Sequence, residues 1–348
     1  MRRKIPMILI ITMIVLVLMN PKAVKQGMVD GINICLTNLI PSLFPLFFLI
    51  GYLAEYVPNI RLKLPRKLTE TCGLNNGTAT LYILSLISGY PVGAISIKNL
   101  TSKNAIDQKD AYRLMGFCNN AGPAFIFGLT ITLFQAKWLP WLIWGIQIAS
   151  SILVSITLPK EKHTTHITSK IHEKRTLTQV MLNCIRSVTM VCAWVVFFRS
   201  IIALVEVSLP EAITPTTRTV IKGFFELSNG CIALSTIPSD AFRFVLFNLF
   251  LSFGGICVWL QIISSAEALI TSTFFFGKSL HMLFCSLISL LVQRLIFNQS
   301  ITGYIFGLCL LICLSGIVIT YYCLHSKKTV AKQRHMMYNA RKTTRNEA

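Results

Sequence analysis

Long apolar runs separated by short polar and basic stretches dominate this chain. Eight runs have helical length and few charges: 5–19, 40–57, 112–134, 138–158, 189–207, 242–263, 280–297 and 301–324. An α-helix needs about 20 predominantly apolar residues to cross the hydrocarbon core of a bilayer. The pattern therefore predicts an all-α polytopic membrane protein with about eight transmembrane helices.

Two polar interruptions lie inside this apolar sequence. They read Ser88-Gly89-Tyr90-Pro91-Val92-Gly93-Ala94 and Cys118-Asn119-Asn120-Ala121-Gly122-Pro123. Unsatisfied backbone groups are costly in hydrocarbon, so broken helices survive there only where they pack in protein or line a wet cavity. Transporters place their binding sites at such breaks. The two interruptions therefore favour a solute pathway.

The stretches that lead into these breaks predict two further features. The amphipathic segment 21–38 precedes Pro41 and Pro45, and this order predicts an interfacial helix that enters a proline-kinked span. The apolar segment 79–87 is too short to cross a bilayer, and the chain is charged again by Lys98. We expect this second segment to form a re-entrant hairpin that enters from the cytoplasmic side.

The second half of the chain repeats this plan. An amphipathic lead at 177–188, a span, a break at 226–230 and a long span follow in the same order, and Ala241-Phe242-Arg243 echoes Ala111-Tyr112-Arg113. The first unit holds three full spans, so the second copy enters in the opposite orientation, as in an inverted repeat. The expected organisation is a first helix at 1–20, repeats at 21–158 and 177–324, a linker at 159–176 and a basic tail at 325–348.

Composition agrees with a membrane protein. Hydrophobic residues make up 53% of the chain and charged residues 13%, which excludes a soluble globular domain and a disordered chain. The net charge of +20 comes mostly from Lys and Arg in the polar stretches between spans and in the tail, including Lys278. Such a distribution is a topology signal rather than a nucleic-acid surface, and it predicts that both termini are cytoplasmic.

Several kinds of chemistry have no sequence signature here. The eleven cysteines include no C-x-x-C pair and lie mostly inside spans, so we expect no disulfide framework and no metal site. The histidines of the linker, His163, His166 and His172, have no compact ligand spacing. The sequence also lacks a phosphate loop, G-x-S-x-G and H-E-x-x-H. We therefore expect neither an enzyme nor a bound cofactor.

The first candidate site is the tip of the predicted hairpin, formed by Ser88, Gly89, Tyr90, Pro91 and Gly93. Glycine permits positive φ and proline removes a donor, so free carbonyl and N–H groups can face a polar solute. The alternative is a packing kink, in which two glycines four residues apart let helices approach closely.

The second candidate site is the broken segment with Asn119, Asn120, Gly122 and Pro123. The two amides offer donors and acceptors that suit a neutral hydroxylated solute or a nucleobase edge. The alternative is a hydrogen bond between helices, worth about 0.6 to 2 kcal/mol in membranes.

The second half supplies candidate residues at its own breaks: Glu226, Ser228, Asn229, Gly254, Gly255 and Gln261. Ionisable groups at membrane depth are functional by default, so Glu226 is expected to bind a cation or a coupling proton. The alternative places Glu226 at the outer interface, paired with Lys222. Arg199 and Glu206, seven residues apart in one span, are expected to snorkel or to form an internal pair.

Four of these segments together resemble one family. They are Pro41-Ser42-Leu43-Phe44-Pro45, the segment 88–94, Phe117 to Pro123, and Ser252-Phe253-Gly254-Gly255 with Gln261. They resemble the YlbJ-type sporulation integral membrane proteins, within the wider group that carries a nucleoside recognition, or Gate, domain. One departure is the segment 226–230, where such proteins commonly have an acidic residue followed by Thr and Gly.

The resemblance implies a transporter-like protein of endospore formation that moves or senses a small solute needed for the spore cortex. Its partners would be the lipid bilayer, the solute and a coupling ion. Fold analogy alone adds a homo-oligomer. The alternative function is a structural or assembly protein of the forespore envelope that transports nothing.

Overall fold

The computed structural model describes residues 4–54, 65–102, 105–160 and 176–297, and every regular element in these ranges is helical. The helices are α1 Lys4–Met19, α2 Pro21–Ile34, α3 Ile40–Ala54, α4 Arg66–Cys72, α5 Asn76–Ser88, α6 Val92–Ser102, α7 Gln108–Met115, α8 Pro123–Leu133, α9 Leu139–Thr157, α10 Leu177–Ser208, α11 Pro215–Phe225, α12 Leu227–Ala233, α13 Asp240–Phe253, α14 Gly255–Ala266 and α15 Ser272–Phe297. The predicted eighth span at 301–324, nearly all of the linker and the whole tail lie outside the described residues.

Five helical segments in the described ranges are long and apolar enough to cross a membrane. They are Pro21–Leu53, Leu139–Thr157, Leu177–Ser208, Asp240–Leu269 and Ser272–Phe297. The chain is therefore a multi-pass membrane protein. The predicted run 5–19 forms α1, which has 16 residues, whereas the run 112–134 is divided between α7 and α8 and the run 242–263 between α13 and α14.

The sequence predicted that the amphipathic segment 21–38 forms a separate interfacial helix, and this prediction is wrong. A π-helical turn, Cys35–Leu39, joins α2 to α3, and the continuous segment packs antiparallel along α10. The pair is close because Cβ atoms placed on Gly27 and Gly31 would lie 2.8 Å and 2.9 Å from the backbone of α10. Amphipathicity therefore marks a helix–helix contact here.

Two helical hairpins pack against these long helices. Hairpin 1 consists of α5 and α6 with its tip at residues 89–91, and it begins at Asn75, whose side chain caps α5. Hairpin 2 consists of α11 and α12 with its tip at Glu226. Each hairpin packs its two arms together. The turn at the tip of hairpin 1 agrees with the hairpin predicted around Ser88, whose entry from the cytoplasmic side stays a prediction, and the break predicted at 226–230 falls at its first residue.

Helix α15 differs from the sequence interpretation at one position. Lys278, counted above among the cytoplasmic loop charges, lies in the second turn of α15 and is 2% exposed. Four neighbouring residues of the same helix, Gly277, Ser279, His281 and Met282, are also buried, because α15 packs between α9 and α13. A single Lys between apolar runs resembled a loop charge in the sequence.

Candidate functional site

The tip of hairpin 1 crosses the non-helical segment 116–122, here called break 1. Gly89 has φ +72°, and a Cβ atom at this position would lie 2.5 Å from the backbone nitrogen of Gly122. The Tyr90 N–H donates to the Asn120 carbonyl oxygen at 2.9 Å. One turn further on, a Cβ atom on Gly93 would lie 2.5 Å from the Cys118 carbonyl oxygen. Only glycine allows the two backbones to approach so closely.

The side chains of break 1 explain how the helix can end inside the protein. The Asn119 amide donates to the Met115 carbonyl oxygen at 2.9 Å, and the Asn120 amide donates to the Phe117 carbonyl oxygen at 2.8 Å. The last carbonyl groups of a helix have no intrahelical partner, so these side chains help to satisfy them, and the Phe117 carbonyl oxygen also accepts from the Ser151 hydroxyl at 2.8 Å. Pro123 then starts α8 at a position that needs no N–H donor.

The tip of hairpin 2 is organised by the Glu226 carboxylate. One oxygen accepts from the Ser228 N–H at 2.9 Å, and the other accepts from the Asn229 N–H at 2.7 Å and the Asn229 side-chain amide at 2.6 Å. Glu226 is therefore the N-cap of α12, where a carboxylate is favoured by the helix dipole. It is 1% exposed, which contradicts the alternative of a solvated residue at the interface.

Lys222, the partner of Glu226 in that alternative, forms an ion pair with a different residue. Lys222 pairs with Glu206 at 2.7 Å, and Glu206 also accepts from Arg199 at 2.9 Å. Arg199 in turn pairs with Asp30 of α2 at 2.8 Å. The expected internal pair of Arg199 and Glu206 is confirmed, within a network that ties hairpin 2 to α2 and α10.

Break 2 is the interruption between α13 and α14 at Gly254 and Gly255, which have φ +85° and +73°. A Cβ atom on Gly255 would lie 3.1 Å from the Leu227 nitrogen and 3.3 Å from the Glu226 Cα. Hairpin 2 therefore meets break 2 through a glycine, as hairpin 1 meets break 1.

A small cavity of about 30 Å³ lies where the two hairpin tips converge. Apolar side chains of the α2–α3 segment, α8, α10 and α14 line it together with six of the predicted site residues: Ser88, Tyr90, Gly122, Glu226, Ser228 and Gln261. Its volume has room for about two water molecules. The structure thus brings residues from both halves of the chain to one small cavity, in which a few polar side chains lie among apolar ones.

Two polar atoms of hairpin 1 and break 1 lack a partner among the described residues. They are the Tyr90 hydroxyl, whose residue lines the cavity, and the side-chain oxygen of Asn119, which does not line it. Buried polar groups are nearly always hydrogen-bonded, so an unpaired one needs an explanation such as a missing water, ion or ligand.

The other predicted residues take supporting positions. Gly89, Gly93, Asn120 and Gly255 form the contacts between tips and breaks described above. Pro91 lies in the tip of hairpin 1, and Pro123, Asn229 and Gly254 shape the turns or helix ends. The Gln261 amide donates to the Cys257 sulfur at 3.2 Å.

The sequence analysis missed a second cluster of buried polar side chains, which lies on α9, α13 and α15. The Gln147 amide donates to the Cys285 sulfur at 3.0 Å and lies 3.4 Å from the Asn248 carbonyl oxygen, and a His281 ring nitrogen lies 3.2 Å from the Gln147 carbonyl oxygen. The signal in the sequence was the presence of Gln147, Asn248 and His281 inside apolar runs that also hold other polar residues. Within the described ranges, no group of three His, Cys, Asp or Glu side chains is arranged to hold a metal ion.

The comparison with known proteins gives one distant relative to report. The chain is 23% identical over 293 residues to the "Sporulation integral membrane protein YlbJ" of Bacillus subtilis (strain 168), which covers 71% of each chain. No family model matches the chain. No solved structure matches it.

Proposed function

We propose that this chain is a transporter-like membrane protein of spore formation, in which the two hairpins enclose a site for a small polar solute. The observation that carries the proposal is the convergence of both tips on one cavity, where the Tyr90 hydroxyl has no partner among the described residues. The similarity to a sporulation integral membrane protein supports the cellular process. We propose transport rather than catalysis, with both termini in the cytoplasm.

The proposed fold is an inverted repeat of the Gate type. Its support is that a glycine joins each hairpin to its own break. The echoed arginines add to this support: Arg113 donates to the carbonyl oxygens of Ser155 and Pro159, and Arg243 donates to that of Leu133. Each half thus has an arginine that donates to carbonyl groups at or just beyond the end of a helix, and the acceptors Ser155 and Leu133 both belong to the first repeat.

The proposed mechanism is alternating access from the closed state described here. A cavity of about 30 Å³ cannot admit a solute much larger than water, so one hairpin tip has to move for loading and the other for release. Within the site, the Tyr90 hydroxyl offers a donor, and the Glu226 carboxylate keeps spare lone pairs beside its three hydrogen bonds. These groups suit a hydroxylated solute or a cation.

A complementation experiment tests the proposed function. Bacillus subtilis lacking YlbJ would receive the wild-type chain, Tyr90→Phe or Tyr112→Phe, with membrane levels checked by immunoblot and the yield of heat-resistant spores measured. Tyr90→Phe removes only a hydroxyl that has no partner among the described residues, whereas the Tyr112 hydroxyl pairs with Gln108. We expect rescue by wild type and Tyr112→Phe and at least a tenfold lower spore yield with Tyr90→Phe.

Full rescue by Tyr90→Phe would favour the alternative, a structural or assembly protein of the forespore envelope. In such a protein, loss of an unpaired hydroxyl has no consequence. Failure of the wild-type chain to rescue, despite normal membrane levels, would contradict a shared role with the relative.

A further inference from the structure

Lys278 is a buried amine with one hydrogen bond to offset its removal from water. Its Nζ donates to the Asn119 carbonyl oxygen at 3.0 Å, and it forms no other hydrogen bond or ion pair with the residues that the structure describes. An ammonium group carries three N–H donors, so two remain unused in this environment. Ionisable groups inside a membrane are normally paired or functional.

The surroundings of Lys278 are polar, but no anionic partner is present among the residues that the structure describes. His281 lies one turn further along α15 and is 1% exposed, and its Nδ1 atom has no partner among the described residues. The Gln147 side-chain oxygen on α9 is also unpaired there. Helix α9 carries no ionisable residue.

Charged groups are present on two other helices that pack against α15 and on α15 itself. They are Lys109, Asp110 and Arg113 on α7, Asp240 and Arg243 on α13, and Arg294 on α15. None of them forms an ion pair with Lys278. The two arginines facing α15 donate to backbone carbonyl groups, and Arg243 also pairs with Asp240.

We propose that Lys278 is a proton-binding site that controls how firmly break 1 is held. The neutral amine can remain buried with its one hydrogen bond, whereas an ammonium group without a carboxylate is costly to bury. A proton taken up by the Nζ lone pair converts the contact with Asn119 into a charge-assisted hydrogen bond, which is stronger. His281 and Gln147 offer neighbouring polar atoms for the proton or a water molecule.

This site is connected to the proposed pathway through one residue. Asn119 belongs to break 1, and break 1 contacts Gly89 and Tyr90 in the tip of hairpin 1. Protonation of Lys278 would therefore bias the position of that tip. This coupling rests on the proposed function, but proton binding itself does not require a solute.

The test is the thermal unfolding of the full-length protein in detergent between pH 6 and pH 9, followed by tryptophan fluorescence. The wild-type transition should rise with pH by several degrees, because an ammonium group without a carboxylate partner is costly to bury and a neutral amine is not. Lys278→Met and Lys278→Gln should lose this rise, and the glutamine variant retains an N–H donor for Asn119. Lys98→Met is the matched control, since the Lys98 amine bonds one carbonyl oxygen at the exposed surface, and it should keep the rise.

Two results would overturn the proton site: a wild-type transition that does not change with pH, or a rise that persists unchanged in both Lys278 variants. Loss of the rise in His281→Gln with its retention in the Lys278 variants would assign the proton to the imidazole and also overturn the proposal. Each result leaves the solute pathway to the spore-yield experiment with Tyr90→Phe, so failure of one proposal is distinguishable from failure of the other.

Discussion

At the scale of single residues, the site depends on glycine, which has no side chain to separate two backbones. Gly89 combines positive φ with a backbone approach to Gly122 that leaves no space for a methyl group. Helix α9 contains a useful comparison, because a Cβ atom on Gly145 would meet nothing within 4 Å. Replacement of Gly145 by Ala is therefore a control for replacement of Gly89 by Ala, because only the Gly89 variant places a methyl group against another backbone.

Replacing Gly89 with Ala should destabilise the protein by about 2 kcal/mol or more, through positive-φ strain together with overpacking. Gly145→Ala should change the free energy of unfolding by no more than about 1 kcal/mol, and in the stabilising direction, because alanine favours a helix. Denaturation of both purified variants in detergent measures the difference. Equal stability of the two variants would show that hairpin 1 does not cross break 1 as described.

Glu226 provides a second prediction at this scale. Glu226→Ala should lower the free energy of unfolding by about 1–3 kcal/mol, because it leaves buried N–H groups of Ser228 and Asn229 without acceptors. Glu226→Gln keeps one acceptor oxygen and should lose less. Thermal unfolding of both variants checks the order, and an alanine variant as stable as wild type would remove Glu226 as the cap of α12.

Sequence alone could predict some of these residues but not others. Glu226 stood out because a carboxylate beside aromatic residues preceded a helix break, yet its role as a cap became visible only in the fold. Lys278 was misplaced because a single charge between apolar runs has the same pattern in a loop and in a buried helix. Burial of a polar side chain depends on its neighbours in space, which periodicity does not describe.

At the scale of elements, the antiparallel pair of the α2–α3 segment and α10 is the longest contact that the sequence did not predict. It depends on small residues in α2, since a Cβ atom on Gly27 would lie 2.8 Å from the Arg199 carbonyl oxygen. On the same segment, a Cβ atom on Gly51 would be at an ordinary 3.5 Å from the Val180 side chain. The segment thus contains its own control.

We expect Gly27→Ala to separate α2 from α10 and to lower the unfolding temperature by several degrees, because the backbones cannot move apart locally without losing contacts. Gly51→Ala should leave the temperature within about 1 degree of wild type, since ordinary contact distance leaves room for a methyl group. Thermal unfolding in detergent measures both. If the two substitutions have the same effect, the close approach at Gly27 is not the feature that joins these helices.

Hairpin 1 was easier to predict than the helix pair. Its signals are local: a stretch too short to span, a turn with glycine and proline, and a return of charge within about 20 residues. The continuity of α2 and α3 has no such signal, because amphipathicity arises equally from a membrane surface and from a partner helix. The two proline residues at 41 and 45 suggested a kink, and the π-helical turn lies just before them.

At the scale of the whole molecule, residues far apart in the chain converge on one cavity between two hairpins. In this closed arrangement, Ser88 is 6% exposed and Ser228 is 2% exposed, although both line the cavity. Ser150 on α9 is equally buried at 0% exposure and does not line it. Access of a water-soluble reagent to the first two positions therefore requires the hairpins to open.

The most direct test of the solute pathway is labelling of Ser88→Cys, Ser228→Cys and Ser150→Cys in membrane vesicles of both orientations. The reagent is a membrane-impermeant thiol reagent, and the modified peptides are located by mass spectrometry. The pathway predicts that the cysteines at 88 and 228 are modified while the cysteine at 150 stays unmodified. If the cysteines at 88 and 228 are as unreactive as the cysteine at 150 from both faces, the hairpins do not open and the pathway is contradicted.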